Sequence, residues 1–271
     1  MCRLFAFVSP ERSTARHELR GAGLESLLSL ARLHGDGWGW AGTDAIGTAP
    51  EVRKSARSAV SDADFETAID TPAHAGLVHL RWATAGLPVN MNNAHPFEAD
   101  GMAFAHNGTV KPLDDVRALL SPASVATLKG TTDSEMYFAL IREQLDLGYD
   151  LHEATVRTVR MLRERFPHVS LNALLLGPEQ LIIVHASATS ALTPHDLERM
   201  GPLAAELPVG HNEDYFALRW RESPDGTIAV SSTGVAGAGW NPLPAESVTA
   251  VNLRDRSREI VELTPAAIAR G

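Results

Sequence analysis

The sequence predicts an α+β fold in which sheets pack on one another with helices outside. Short strand-like runs open the chain and recur through its last hundred residues, while two helix-like stretches stand side by side in the middle. Strands, then adjacent helices, then strands is not the strict alternation that builds a doubly wound sheet.

Taken in order, Arg3 to Val8 reads as a buried strand that starts almost at the chain end. Residues 17 to 33 carry Leu19, Leu24, Leu27, Leu28 and Leu30, a helical spacing. Gly76 to Ala83 and Met102 to Ala105 read as strands. Thr132-Asp133-Ser134-Glu135 has the pattern of a capping box, with Thr132 as N-cap and Glu135 reaching back to its amide. The helix it opens runs to about Leu147, where Gly148 stops it. A second helix spans roughly 151 to 166, with Thr155, Val159, Leu162 and Phe166 on one face. Strand candidates follow at 171–176, 180–186, 214–220, 227–232, 247–253 and 258–263. The loosest stretches, around 121–124 and 189–209, do not separate two compositions, so residues 1–271 read as one domain.

Composition narrows the function. The chain has 271 residues and a single cysteine, Cys2, which excludes an internal disulfide and a Cys-based zinc or iron–sulfur centre. A formal net charge of -9 argues against a mainly electrostatic nucleic-acid binder. The apolar run after Arg3 stops at Ser9-Pro10, too short for a secretory signal, and no run approaches the roughly 20 apolar residues of a membrane span. A cytoplasmic enzyme with neither nucleic acid nor membrane as partner, and without a cofactor, is expected.

The position of the cysteine matters more than its number. Removal of Met1 exposes the Cys2 α-amine, whose reference pKa near 8 lets it act as a base at neutral pH. A thiol beside its own base is an activated nucleophile. A buried structural cysteine is the alternative. Four polar patches bear on the choice. His34-Gly35-Asp36-Gly37-Trp38-Gly39-Trp40 implies close backbone approach, or only a tight turn before a strand. In His79-Leu80-Arg81-Trp82-Ala83-Thr84, strand alternation sets His79, Arg81 and Ala83 on one face, and Arg81 needs a carboxylate from the protein or a ligand. Phe104-Ala105-His106-Asn107-Gly108-Thr109 ends either in a hairpin turn or in an oxyanion hole made by the Asn107 amide and the Gly108 N–H. Asp133 either complements a helix dipole or receives an ammonium. Together these parts fit one ligand, an amino acid with a side-chain amide: its α-carboxylate on Arg81, its α-ammonium on Asp133, its amide carbonyl at Cys2, and the developing oxyanion on Asn107 and Gly108.

These motifs, in this order behind a cysteine at position 2, resemble the class II glutamine amidotransferases, which are N-terminal-nucleophile hydrolases. The resemblance covers about residues 1 to 140. It implies a four-layer αββα sandwich of two antiparallel sheets between helices. It implies Cys2 as nucleophile, Asn107 and Gly108 as oxyanion hole, and Arg81 with Asp133 holding a glutaminyl or γ-glutamyl group. Trp82, Thr84 and the Gly37–Trp38 loop complete that pocket. Synthase-linked members continue Arg-Trp-Ala-Thr into His-Gly; here Ala85-Gly86 follows, so a side chain that helps hold glutamine is missing. The later strands, with Gly239-Trp240-Asn241-Pro242-Leu243-Pro244, resemble the tail of stand-alone members, among them the γ-glutamyl hydrolase of ergothioneine biosynthesis.

The expected reaction is therefore hydrolysis of a γ-glutamyl amide, either glutamine or a small conjugate, through a Cys2 thioester. The alternative is a glutaminase subunit supplying ammonia to a separate synthase. Oligomeric state, a homo-oligomer included, stays open. Two other classes compete. A metal hydrolase would draw on the eleven histidines, but His74 and His79 are five apart, outside the HExxH spacing, and His106 joins them only through the tertiary fold. A non-catalytic binding protein would be signalled by loss of a motif residue, and none is lost.

Overall fold

The computed structural model describes residues 2–84, 86–208, 211–212 and 214–263. In chain order the elements are β1 (Cys2–Ser13), α1 (Ala15–Leu19), α2 (Ala22–Leu33), β2 (Trp38–Thr43), β3 (Glu51–Ser55), α3 (Ala63–Ile69), β4 (Ala73–Arg81), β5 (Phe97–Ala99) and β6 (Met102–Asn107). Then come α4 (Leu113–Arg117), α5 (Pro122–Thr127), α6 (Asp133–Asp146), α7 (Leu151–Arg165), β7 (Asn172–Leu176), β8 (Gln180–His185) and α8 (Pro194–Met200). The last third adds β9 (Leu218–Glu222), β10 (Ile228–Ser232), β11 (Asn241–Pro242), β12 (Ser247–Asn252) and β13 (Arg258–Glu262).

The strands form two antiparallel sheets. One has the order β11-β9-β10-β1-β4-β2-β3, the other β13-β12-β8-β7-β6-β5. Strand alternation sorts their side chains into layers. On β1, Leu4, Ala6 and Val8 face the second sheet, where they meet Ala103 and Ala105 of β6 and Leu174 and Leu176 of β7. Phe5 and Phe7 point the other way, against Leu19, Leu27 and Leu30 of the first helices. On the far side, Phe104 of β6 packs with Tyr137, Phe138 and Ile141 of α6 and Val159 of α7. Three apolar layers thus separate helices, sheet, sheet and helices, the αββα arrangement. Each fully buried Phe or Leu contributes about 1.5–3 kcal/mol. Alanines on the inward face of β6 let the two sheets approach closely beside β1.

The long helices stand where the pattern put them, with one change at a cap. Thr132 Oγ1 accepts the Glu135 N–H at 3.2 Å. The Glu135 carboxylate does not return to the Thr132 amide. It accepts the N–H groups of Lys129 and Gly130, both at 2.7 Å, and so straps down the loop leading into α6. The predicted helix over 17–33 is two helices, divided at Gly21, whose φ of 59° is left-handed. The strand expected over 214–220 begins only at Leu218, because Tyr215 and Phe216 turn inward to cover Trp82. Trp38-Gly39-Trp40, read as a loop or a turn, is strand β2. Gly39 is required there, because a Cβ at that position would overlap the His95 carbonyl. Asn107-Gly108 is not a hairpin turn: the strand that pairs with β6 next, β7, arrives only after four helices.

Candidate active site

The predicted residues converge at one end of the sandwich, where both sheets and the start of α6 meet. Cys2 opens the central strand β1 and pairs in register with Arg81, the last residue of β4. Cys2 shares the inward face of its sheet with His79 and Arg81. Asn107 closes β6 in the opposing sheet and faces Cys2 across the gap. Its Oδ1 accepts the Cys2 backbone N–H at 2.7 Å. With Oδ1 so engaged, Asn107 Nδ2 is buried and has no hydrogen-bond partner among the described residues. A buried amide donor without a partner carries a desolvation cost. Gly108 follows, and a side chain there would run into the Ser170 carbonyl and the His106 ring.

Cys2 is 6% exposed. Burial alone raises a thiol pKa, yet that of Cys2 is lowered to about 5. The charge of the adjacent His79 imidazole, the terminal ammonium and the Trp82 backbone N–H outweigh burial. His79 acts by charge and proximity, since among the described residues neither ring nitrogen makes a hydrogen bond of standard geometry. His79 stacks on His95 with ring centroids 4.3 Å apart. Burial first, then the neighbouring charge of His79, push the His95 pKa down. His106 lies on the helix side of β6. Its Nε2 donates to the Ser170 carbonyl at 3.1 Å, and its Nδ1 accepts from the Ser134 hydroxyl at 2.9 Å. Burial lowers the His106 pKa, which favours the neutral imidazole of that pairing. Thiolate is the species that alkylating agents attack. We therefore expect the rate of iodoacetamide alkylation of Cys2, followed by intact mass, to rise with pH about a midpoint near 5. A midpoint near 8.5 would refute the lowered pKa.

Arg81 is 3% exposed, and among the described residues it forms no ion pair. Its guanidinium reaches only two backbone carbonyls, Asp36 at 3.4 Å and Pro88 at 3.3 Å. The backbone around it is tied to the glycine-rich segment. Arg81 N–H donates to Gly37 O, Asp36 N–H donates to Arg81 O, and Asp36 Oδ2 accepts the Ala83 N–H at 2.8 Å. Asp133, the first residue of α6, accepts the Val110 N–H on Oδ2 at 2.6 Å, and Oδ1 carries no hydrogen bond among the described residues. Cys2, Arg81, Trp82, Thr84, Gly108 and Asp133 line one narrow space of about 20 Å³. Thr84 also bonds Thr109 through their hydroxyls at 3.0 Å.

Two sequence expectations land differently. Gly37 contributes only backbone, as above. Trp38 lies in the core behind β2, with its indole N–H donating to Asp62 at 3.0 Å and its ring edge-on to Phe65. Ala85 and Met1 lie outside the described residues. No role for His95, Ser134, Ser170 or Arg3 follows from the sequence motifs. Arg3 is buried and holds the Cys2 carbonyl at 2.7 Å while donating to Tyr215 O and Thr233 O. Its guanidinium also sits 3.7 Å over the Tyr215 ring. Among the described residues no group of three or more His, Cys, Asp or Glu side chains is placed to hold a metal ion. No helix among them is long and apolar enough to cross a membrane.

Residues 1–233 match the family model described as glutamine amidotransferases class-II. The chain belongs to that family. Class II glutamine amidotransferases are N-terminal-nucleophile-type enzymes, and in this one Cys2 holds the nucleophile's position. The chain is 30% identical over 200 residues to the glutamine--fructose-6-phosphate aminotransferase [isomerizing] of Escherichia coli, covering 72% of this chain and 30% of that protein. The same enzyme of Methanothermobacter thermautotrophicus is 35% identical over 129 residues, 45% of this chain and 22% of that one. The chain thus spans about a quarter of the length of the curated relatives it matches. Two solved structures share the fold. A glutamine aminotransferase class-II domain protein from Silicibacter pomeroyi superposes with a TM-score of 0.64 at 19% identity, covering 97% of this chain and all of that one. The glutamine phosphoribosylpyrophosphate amidotransferase of Bacillus subtilis gives a TM-score of 0.63 at 17% identity, covering 97% of this chain and 49% of that one.

Proposed function

We propose that this amidotransferase hydrolyses a γ-glutamyl amide, glutamine or a small γ-glutamyl conjugate, through an N-terminal cysteine thioester. The observation that carries the reading is the Asn107 side chain. One end holds the Cys2 nitrogen at 2.7 Å, and the other is a buried N–H₂ without a partner among the described residues. Removal of Met1 turns that nitrogen into a free α-amine. The amine takes the thiol proton, and the thiolate attacks the amide carbon. Asn107 Nδ2 and the Gly108 N–H donate to the oxyanion, about 3 to 4 kcal/mol for one such donor. Collapse breaks the C–N bond, and the Cys2 ammonium returns its proton to the leaving amine. Water then adds to the thioester, regenerating the thiol and releasing glutamate. In this reading Arg81 pairs with the substrate α-carboxylate and Asp133 with its α-ammonium, while Trp82, Thr84 and the Gly37 backbone border them. Because the thiolate is the working state, a reducing cytoplasm suits the enzyme.

The test is to incubate the purified protein, verified by intact mass to lack Met1, with γ-glutamyl amides and measure free glutamate. Cys2→Ala is expected to remove turnover, and unchanged activity would sink the mechanism. The likeness to glutamine-using aminotransferases favours a second reading, in which ammonia from glutamine is passed to a separate synthase. Stimulation of glutamine hydrolysis by such a partner, with little turnover of conjugates, would select it.

A further inference from the structure

Next to the narrow catalytic space lies a cavity of about 430 Å³ that the reaction as described does not use. That volume is in the range that holds small organic ligands. The Thr84–Thr109 hydroxyl pair joins the two spaces: Thr84 lines both, and Thr109 lines the larger one directly after Gly108. Ser170 lines the larger cavity as well, while its hydroxyl donates to the Asn107 carbonyl at 2.8 Å. The far wall is the segment between β8 and β9 that includes α8.

Ammonia, the leaving group of glutamine, needs no such room. We propose that this cavity receives the amine half of a γ-glutamyl conjugate, and that this half carries a carboxylate, as an α-amino acid or short peptide does. The proposal rests on the hydrolase reading above and names its substrate class. The charge of the lining supports it. Two cations, Lys111 and Arg199, border the cavity against a single carboxylate, Asp196, and His168 and His195 add polar lining. Asp196 is already occupied, accepting from the Thr193 N–H and hydroxyl as part of the α8 capping box. Arg199 is positioned from the catalytic side: its guanidinium lies 4.7 Å over the Trp82 ring and donates to the Ala83 carbonyl at 3.1 Å. A guanidinium fixed in this way leaves N–H groups for a carboxylate at little further ordering cost. Phe216 supplies apolar surface for the carbon skeleton.

The experiment compares kcat/KM for γ-glutamylglycine with that for γ-glutamylmethylamide, the same amide without the carboxylate, and includes glutamine. The expected result is a preference of tenfold or more for γ-glutamylglycine. That ratio should fall toward one in Lys111→Ala and Arg199→Ala and return in Lys111→Arg. A ratio near one in the unaltered enzyme, or equal losses on both amides in the variants, overturns the anionic leaving-group site while leaving the hydrolase reading intact. Failure to hydrolyse any of the three overturns the hydrolase reading itself, and the site with it.

Discussion

Asn107→Asp is expected to lower kcat by at least about 10²- to 10³-fold, the loss measured when one oxyanion donor is removed. The replacement keeps the shape and keeps an oxygen for the Cys2 nitrogen, which Asn107 Oδ1 holds at 2.7 Å. It removes the buried Nδ2 donor and sets a negative group where negative charge must develop. Asn107→Ala loses the nitrogen contact as well. If both variants fall alike, the donor dominates. If only the alanine variant falls, Asn107 acts by holding the chain terminus. Single-turnover rates on a γ-glutamyl amide distinguish the two, because thioester formation is the step affected.

Arg81→Met is expected to lower kcat/KM for any γ-glutamyl substrate by roughly 10²- to 10³-fold, the scale of losing a buried charge-assisted pair. The same variant is expected to melt higher than the parent by scanning fluorimetry. Arg81 is 3% exposed and has only two long carbonyl contacts among the described residues. A buried cation without a counter-charge opposes folding, and an apolar side chain of similar length removes that penalty. A structural ion pair predicts the opposite sign: Arg81→Met would then lower the melting temperature. The two readings of Arg81 left open by the sequence are thus separated by one melting curve.

Part of the candidate site's placement was legible in the sequence: alternation sets His79 and Arg81 on one strand face, the cysteine stands out by its position at the chain start, and Asn107 and Asp133 stand at element ends marked by Asn-Gly and by Thr132. What escaped had weaker local signals. His95 sits on an irregular segment, and its stacking on His79 at 4.3 Å depends on Gly39 admitting the His95 carbonyl against β2. Three glycines in five residues suggested a loop at Gly35–Gly39, although Trp38-Gly39-Trp40 also alternates large and small. That alternation puts both indoles on the helix side, which is why Trp38 bonds Asp62 and takes no place at the cysteine. The Glu135 carboxylate had two sets of backbone amides within reach, and sequence spacing does not rank them.

The central place of β1 has a consequence for how the enzyme matures. Its start pairs with β4, some 70 residues later, and the strand is enclosed by β10 near residue 230. Arg3 adds bonds to Tyr215 and Thr233. Synthesis at about 5–20 residues per second delivers those partners roughly 10 to 50 s after the terminus emerges. During that interval β1 lacks the strand that encloses it, and the terminus is open to an aminopeptidase, whose removal of Met1 the proposed mechanism requires. Once β10 docks, the Cys2 nitrogen is sealed against Asn107. The processing that the proposed mechanism requires is therefore a race that the order of the strands along the gene arranges in the peptidase's favour.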